Sequence, residues 1–353
     1  MKKSIFLISL LLSTASIYAQ TKVTMGVTRG KDFGVVYALP KTEIKVEVKA
    51  VKVTYTPGEF GKYAEQYLRL NNVSITPEEH WELTGIKIQS IGVPDSLRTY
   101  FVKMKDKTVA PLMELTNDGI VRSINMPVSA SKKRVLPKPL VQKKEKINPR
   151  TFMTEEILMA TSTAKMAELV AKEIYNIRES KNALLRGQAD NMPKDGEQLK
   201  LMLDNLDEQE NAMTEMFSGT QKKEEKTFTF KITPNKDFKN TVLCRFSTKL
   251  GVVDVDNLAG EPIYFNLTDM KTISIPAEDK EKEVDGIAYN VPGKANISIF
   301  KNKKLLYEGE FPITQFGTIE YLAPALFNKR STIKVLFNPI TGGLVKVDQE
   351  ENK

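Results

Sequence analysis

The first third of the chain alternates apolar and polar residues with a period of two. In "TEIKVEVKAVKVTY" the apolar side chains, beginning with Ile44 and Val46, form one buried face, and the polar side chains form a solvent-exposed face. "ELTGIKIQSIGV" repeats this pattern, and Asp118-Gly119 in "LTNDGIVRSI" predicts a short hairpin turn. Between the first strands, "GEFGKYAEQYLRL" predicts one short helix. Residues 20–130 are therefore predicted to form an N-terminal β-rich domain.

The period changes to three and four after residue 151, which is typical of an amphipathic helix. Thr154 is a candidate N-cap, and Gly187 is a candidate end. The spacing predicts a helix of about 33 residues, or about 50 Å. Its apolar stripe consists of Ile157, Ala160, Ala164, Ala167, Ala171, Ile174 and Ile177.

A second helix is predicted to follow directly. Asp195 is a candidate N-cap with Gln198 three residues later, and Gly219 is a candidate end. Pro193 in "QADNMPKDG" interrupts the first helix and lets the second begin. Residues 151–219 are therefore predicted to form an antiparallel helical hairpin. Its apolar stripes need cover from a β domain or from a partner.

Strand patterns return after the charged stretch "TQKKEEK". Phe228 and Phe230 alternate with polar residues, and hairpins are predicted around Asn302-Lys303 and Gly342-Gly343. Residues 227–348 are therefore predicted to form a C-terminal β domain. The expected fold class is α+β, with two β-rich, sandwich- or barrel-like domains and a long antiparallel helical hairpin between them.

A basic segment joins the N-terminal strands to the hairpin. Residues 131–150, "SKKRVLPKPLVQKKEKINPR", carry eight Lys or Arg residues against one Glu, and three prolines forbid regular structure. The segment is interpreted as a solvated linker. Docking of lysines such as Lys143 and Lys144 to an anionic surface is the alternative, worth about 1 kcal/mol per basic residue.

The chain opens with a pattern typical of an export signal. Lys2 and Lys3 precede an apolar run that is too short to span a bilayer, and Ala19 suits signal peptidase. Residues 1–19 are therefore predicted to be a signal peptide, and the protein is expected to be periplasmic or associated with the outer membrane. No later run is long enough for a transmembrane segment. Export also removes nucleic acid from the expected partners, although the formal net charge is +8.

Few residues suit catalysis. "STAK" places Ser162 three residues before Lys165, as in Ser-x-x-Lys acyl-transfer enzymes, but the two companion motifs are either out of order or missing. His80 is the only histidine, which excludes multi-His zinc sites, and Cys244 is interpreted as a core residue. We expect no cofactor and no metal. Asp254–Asn257 is interpreted as a polar turn rather than a calcium loop.

Another short motif concerns modification. Asp95-Ser96-Leu97 resembles the Asp-Ser/Thr-apolar site at which Bacteroidota O-glycosylate exported proteins. The sequence leaves open whether Ser96 carries a glycan.

Three stretches carry a resemblance to a known family. They are "YALPKT", "IYNIRESKNALLRGQADNMPKDGEQLKLML" and "FGTIEYLAP". Together they resemble an uncharacterised family of exported Bacteroidota proteins, a domain of unknown function, over most of the chain after the leader. The resemblance implies an envelope location and assigns no catalytic residue, cofactor or ligand.

Two functional hypotheses of different classes follow. The first is a non-enzymatic periplasmic binding or scaffold protein that contacts an envelope protein or an anionic envelope surface. Its expected contact residues are Ala160, Ala164, Ala167, Ala171, Lys143 and Lys144. The alternative is a serine hydrolase acting on cell-wall peptide, with Ser162 as nucleophile and Lys165 as base.

Overall fold

The computed structural model describes residues 34–103, 113–127, 147–193, 195–274, 286–322 and 331–351. The predicted signal peptide and most of the predicted linker, with Lys143 and Lys144, lie outside these residues.

Twelve strands and four α-helices make up the described chain. The strands are β1 (Gly34–Thr56), β2 (Glu78–Lys103), β3 (Met113–Leu115), β4 (Val121–Ile124), β5 (Thr220–Ile232), β6 (Phe238–Ser247), β7 (Gly251–Val253), β8 (Glu261–Asp269), β9 (Ile287–Lys301), β10 (Lys304–Leu322), β11 (Ser331–Phe337) and β12 (Leu344–Glu351). The helices are α1 (Ala64–Leu68), α2 (Glu155–Leu158), α3 (Thr163–Leu185) and α4 (Gly196–Ser218), with 3₁₀ turns at Gly61–Tyr63 and Pro149–Phe152.

The strands form three antiparallel sheets. Their orders are β2-β1-β5, β10-β9-β8-β6-β7 and β12-β11-β4-β3. The predicted hairpins are confirmed where their turn residues adopt positive φ, at Gly119, at Asn302 and Lys303, and at Gly342. A strand-rich fold with several sheets and a helical pair is therefore confirmed.

Strands from both predicted β domains share sheets and cores. β5, from the C-terminal region, pairs with β1, while β4 pairs with β11. Ile44 and Val46 of β1 pack with Ile263 and Phe265 of β8, and Tyr37 of β1 packs in a second strand core with residues of β11. The domain boundaries 20–130 and 227–348 stay predictions, but these pairings interleave the two regions in space.

The long strands bend where they pass from one strand core to the other. β1 changes register between Ala38 and Pro40, and the β9–β10 pair changes register between Ile313 and Thr318. Such irregularities leave backbone groups without ladder partners. Close to these shifts, side chains bond the backbone of the other strand: the Thr42 N–H donates to Thr314 Oγ1 at 2.9 Å, and the Thr314 N–H donates to Thr42 Oγ1 at 3.0 Å.

The first predicted helix is divided in two. α2 ends before Met159, and α3 begins after Ser162, whose side chain accepts a hydrogen bond from the Lys165 N–H. The stretch "TST" at 161–163 explains the break, because Ser and Thr side chains favour caps over helix interiors. The prediction of one uninterrupted helix of 33 residues was therefore wrong. The second helix has its N-cap at Asp195 and its C-cap at Gly219, as predicted.

The helical pair packs antiparallel and has its own core. Ile174 and Ile177 of α3 contact the cluster that holds Met213 and Phe217 of α4. The segment from Phe60 to Leu68 packs against both helices and completes this core. The ring centroids of Phe60 and Phe217 are 5.3 Å apart. The apolar stripe of α3 is therefore covered by the chain's own residues over this part of its length.

Candidate functional site

The helix α4 is strongly acidic although the whole chain is basic. Its 23 residues contain six carboxylates and a single lysine, Lys200, whereas the chain has a formal net charge of +8. The carboxylates are Glu197, Asp204, Asp207, Glu208, Glu210 and Glu215. Such a concentration of one sign of charge produces a local field that attracts cations.

Two of these carboxylates hold the helical pair together. Glu210 Oε1 accepts a hydrogen bond from Arg178 Nε at 2.7 Å, and Glu210 Oε2 accepts one from Lys181 Nζ at 2.8 Å. Lys181 also pairs with Asp207. Burial raises the pKa of Glu210, but the hydrogen bonds from Lys181 and Arg178 outweigh it, so this pKa lies below its ordinary value. This network is occupied in joining α3 to α4.

Three other carboxylates face a groove. Asp204, Glu208 and Glu215 line a cavity of about 890 Å³, and they form no ion pair with any of the described residues. Their spacing of four and seven residues places them on one side of α4. The groove is lined by Thr56, Pro57, Gly58, Glu59, Ile147, Asn148, Pro149, Arg150, Asp204, Asn205, Asp207, Glu208, Asn211, Ala212, Glu215, Met216, Gly219 and Thr220.

The end of α4 is fixed to the end of β1, which sets the shape of the groove. The Phe60 N–H donates to the Met216 carbonyl at 2.8 Å, and the Tyr55 hydroxyl donates to the Ser218 carbonyl at 2.9 Å. Gly58 lies so close to α4 that a Cβ there would be 2.2 Å from the Met216 carbonyl oxygen. These backbone contacts hold the two walls at a fixed separation.

The opposite wall contributes one internal ion pair. Arg150 Nη2 lies 3.3 Å from Glu59 Oε1, and both side chains are exposed. This pair neutralises Glu59, so the carboxylates of α4 determine the sign of the groove. The exposed side chain of Ile147 adds apolar surface at the same wall. The groove therefore offers anionic groups beside apolar contacts, which suits a cationic, partly apolar chain segment.

The structure separates the alanines that the sequence placed on one contact stripe. Ala160 and Ala164 are half-buried, whereas Ala167 is 0% and Ala171 is 3% exposed inside the helical core. Ala167 and Ala171 are already covered by the chain's own residues, which does not favour their contact with a partner, and that contact stays a prediction. Contact through Ala160 and Ala164 stays a prediction.

The Ser-x-x-Lys residues have structural partners of their own. Ser162 caps α3 through a 3.2 Å hydrogen bond from the Lys165 N–H. The Lys165 ammonium lies 2.9 Å from Glu168 Oε1, about half exposed, and neither Ser162 nor Lys165 lines the groove. A catalytic lysine would instead direct its amine at the nucleophile. The hydrolase hypothesis stays a prediction that this geometry does not favour.

The remaining candidates lie apart from the groove. Cys244 is buried in a strand core, and burial raises the pKa of its thiol to about 12, which agrees with a core role. His80 lies in β2 with its Nε2 3.2 Å from Glu82 Oε1, and both side chains are about half exposed. Asp254 and Asn257 form a turn, as predicted. Among the described residues, no group of His, Cys, Asp and Glu has the arrangement of a metal site.

The possible modification motif lies on a projecting part of β2. Four residues between Pro94 and Thr99 have no partner on β1, and the Leu97 N–H donates to Asp95 Oδ1 at 3.3 Å. Ser96 is exposed there.

Comparison with known proteins gives a family and no function. A family model for a domain of unknown function, DUF4831, matches residues 33–345. The chain belongs to the DUF4831 family. This confirms the expected uncharacterised domain over most of the chain. No curated protein and no solved structure matches this DUF4831 chain. No helix in the described part of the chain is long and apolar enough to cross a membrane.

The carboxylates that line the groove were not among the residues predicted from the sequence. The available signal was the charge of residues 196–218, which opposes that of the whole chain. The groove itself could not be found from this signal, because its opposite wall comes from residues near 58 and 150.

Proposed function

We propose that this DUF4831 protein is a non-enzymatic binding or scaffold protein of the cell envelope, and that its acidic groove holds a basic segment of another envelope protein. The observation that carries the proposal is the row of Asp204, Glu208 and Glu215 along a groove whose walls are fixed to each other. These carboxylates form no ion pair among the described residues, so they are available to a partner's cations.

The spacing of the carboxylates suits an extended partner. Asp204 and Glu208 are separated by four residues of helix, or about 6 Å along the axis. Every second side chain of an extended peptide points the same way, with a repeat of about 6.7 Å. An extended segment with Lys or Arg at alternate positions therefore presents its charges at nearly the spacing of these two carboxylates.

The groove favours recognition by charge with modest affinity. Its carboxylates are exposed or half-buried, and exposed ion pairs contribute about 0.2–1 kcal/mol each. Three pairs together contribute about 0.6–3 kcal/mol, or roughly threefold to a hundredfold in affinity, and salt weakens them. Apolar contact with Ile147 adds a term that depends less on salt.

The export part of the proposal rests on the leader pattern of residues 1–19. We infer that the protein acts outside the cytoplasm, in the periplasm or at the outer membrane. Mass determination of the N-terminus from an envelope fraction tests this, with cleavage after Ala19 expected. An intact precursor found in the cytosol would overturn it.

Peptide titration tests the groove. An alternating lysine–threonine peptide should bind the chain, and the variant Asp204→Asn, Glu208→Gln, Glu215→Gln should bind it about tenfold or more weakly. Fluorescence anisotropy at low and at physiological salt measures both values. An alternating glutamate–threonine peptide serves as the matched ligand, and its affinity should not fall in the triple variant, because the groove carboxylates would only repel it.

A second triple variant controls for net charge. Glu156→Gln, Glu179→Gln and Glu197→Gln also remove three exposed carboxylates from the helices, at positions outside the groove. This variant should bind the lysine peptide within about twofold of the natural chain. Equal weakening in the two triple variants would show that only overall charge matters, and would overturn the proposal.

A further inference from the structure

One strand edge carries apolar side chains that the rest of its sheet does not cover. β12 has β11 as its only neighbour in the four-stranded sheet of the described chain. On this edge Leu344, Val345 and Val347 are 39%, 57% and 43% exposed. An edge strand offers unpaired N–H and C=O groups, so it can accept another strand.

The apolar layer of the sheet continues onto this edge. Val347 lies opposite Val335, and Leu344 lies opposite Phe337, across the β11–β12 ladder. Both β11 residues are buried in a strand core, so Val347 and Leu344 point to the same side of the sheet as that core. Val345 is the extra residue where the register shifts between Leu336 and Phe337. A further strand beside β12 would therefore cover Leu344 and Val347, which lie at the exposed edge of the core.

The outer edge of β5, in the three-stranded sheet, carries a continuous run of charged residues, unlike the edge of β12. Its first half, Lys222–Lys226, consists of five consecutive charged residues. Charges of this kind prevent a sheet edge from accepting another strand. β12 also carries charges, but they alternate in sign around an apolar centre, since Lys346 and Asp348 flank Val347.

This order of charges is complementary to itself. In an antiparallel pair of two β12 strands centred on Val347, Lys346 of each copy lies opposite Asp348 of the other. Val347 lies opposite itself on the two-fold axis. Within one chain Lys346 Nζ and Asp348 Oδ2 are 2.6 Å apart on the outer face, so the pair would form a square of alternating charges.

We propose that the outer edge of β12 is a self-association surface, on which a second copy of the chain adds its own β12 antiparallel in the register centred on Val347. The contact is isologous, so it closes at a dimer. It unites two four-stranded sheets into one of eight strands. This inference uses a different surface from the acidic groove and does not depend on it.

Charge exchange in solution tests the register. Sedimentation velocity over a concentration series should show dimerisation of the purified chain. Lys346→Asp places two pairs of like charges across the two-fold axis and should weaken it about tenfold. The double variant Lys346→Asp, Asp348→Lys restores opposite charges and should return within about threefold of the natural chain.

A cysteine placed on the axis gives a second, covalent readout. Val347→Cys brings two thiols opposite each other, at a separation between strands that suits a disulfide, so mild oxidation should produce a disulfide-linked dimer. In the same register, the thiols of two Val345→Cys chains do not lie opposite each other. This variant should therefore give little disulfide-linked dimer. The natural Cys244 is buried and provides an internal control.

Three results would overturn the proposal. They are a natural chain that stays monomeric at every concentration, a charge exchange that fails to restore association in a folded double variant, and equal crosslinking at positions 345 and 347. Val255→Lys changes an exposed valine outside the strands and should leave association unchanged. If Val255→Lys weakened dimerisation as much as Lys346→Asp does, that would be a fourth result against the proposal.

Discussion

The two ends of the α3–α4 pair differ in how their apolar residues are covered. At the base, Ala167, Ile174 and Phe217 are buried beneath Phe60 and its neighbours. At the outer end, apolar side chains project from the helices, with Leu201 63% exposed. The exposed apolar residues at this end are Leu185, Met192, Leu201 and Met202.

This difference shows that an apolar stripe does not by itself identify a contact surface. The base is covered by residues 60–68, which precede the helices by about a hundred positions in the sequence. What the base leaves open is its acidic side, where Asp204, Glu208 and Glu215 face the groove. Binding at this helical pair is therefore expected to depend on charge more than on the alanine stripe.

The largest expected effect comes from truncating the base. Phe217→Ala removes a fully buried ring that packs against Phe60, and should lower the free energy of unfolding by about 3–5 kcal/mol. Leu201→Ala at the outer end is the matched control and should change it by less than about 0.5 kcal/mol. Urea denaturation followed by circular dichroism measures both. Similar losses at the two positions would contradict the difference between base and outer end.

A larger side chain at the base should also destabilise the protein. Ala167→Leu adds volume where no surface is open, and overpacking should cost about 3 kcal/mol. A partner-facing alanine would tolerate the same change in the isolated chain. Thermal unfolding of Ala167→Leu and Ala164→Leu compares the two positions. The melting temperature of Ala164→Leu is expected to lie nearer to that of the natural chain. An unchanged melting temperature for Ala167→Leu would show that the base is open.

The contact between β1 and α4 is the next test. Gly58→Ala places a Cβ against the Met216 carbonyl, so the walls of the groove must shift, at an expected cost of about 2 kcal/mol. Gly196→Ala is the control, since a Cβ there meets no atom within 4 Å. Gly58→Ala should also lower the affinity of the groove for the alternating lysine–threonine peptide. Unchanged peptide affinity and stability in Gly58→Ala would show that this contact does not set the groove.

The smallest expected effect concerns the ion pairs between the helices. Because the pKa of Glu210 is lowered in the folded state, its stabilisation is fully present above the ordinary pKa and is lost as pH falls through the lowered value. Glu210→Gln should cost about 1 kcal/mol at pH 7 and less at pH 3, which lies below the ordinary carboxyl pKa. Urea denaturation at the two pH values measures this. A cost that stays constant with pH would indicate a packing role instead.

Local pattern was sufficient to predict most of the secondary structure. The alternation around Ile44 and Phe228, the caps at Asp195 and Gly219, and the hairpin at Asn302 all appear in the structure. Each depends on residues that are close in sequence, so period and capping chemistry are enough to find it.

Long-range pairing could not be predicted in the same way. Nothing in the pattern of β1 indicates that it lies between β2 and β5, or that Thr42 exchanges hydrogen bonds with Thr314 across more than 270 residues. The groove is missed for the same reason, since its walls come from three separate segments. The acidity of α4 was visible in the sequence, but the free side of the helix was not.

The most direct test of the central claim is site-specific photocrosslinking in living cells from Asn211, which is exposed in the groove, with Asn182 on α3 as the reference position. The crosslinked peptide is then identified by mass spectrometry. We expect adducts from position 211 that map to a Lys- or Arg-rich segment of an envelope protein. They should disappear in the Asp204→Asn, Glu208→Gln, Glu215→Gln variant and persist in the variant of Glu156, Glu179 and Glu197. Adducts that persist when the groove carboxylates are removed, or that map to segments without basic residues, would contradict the account.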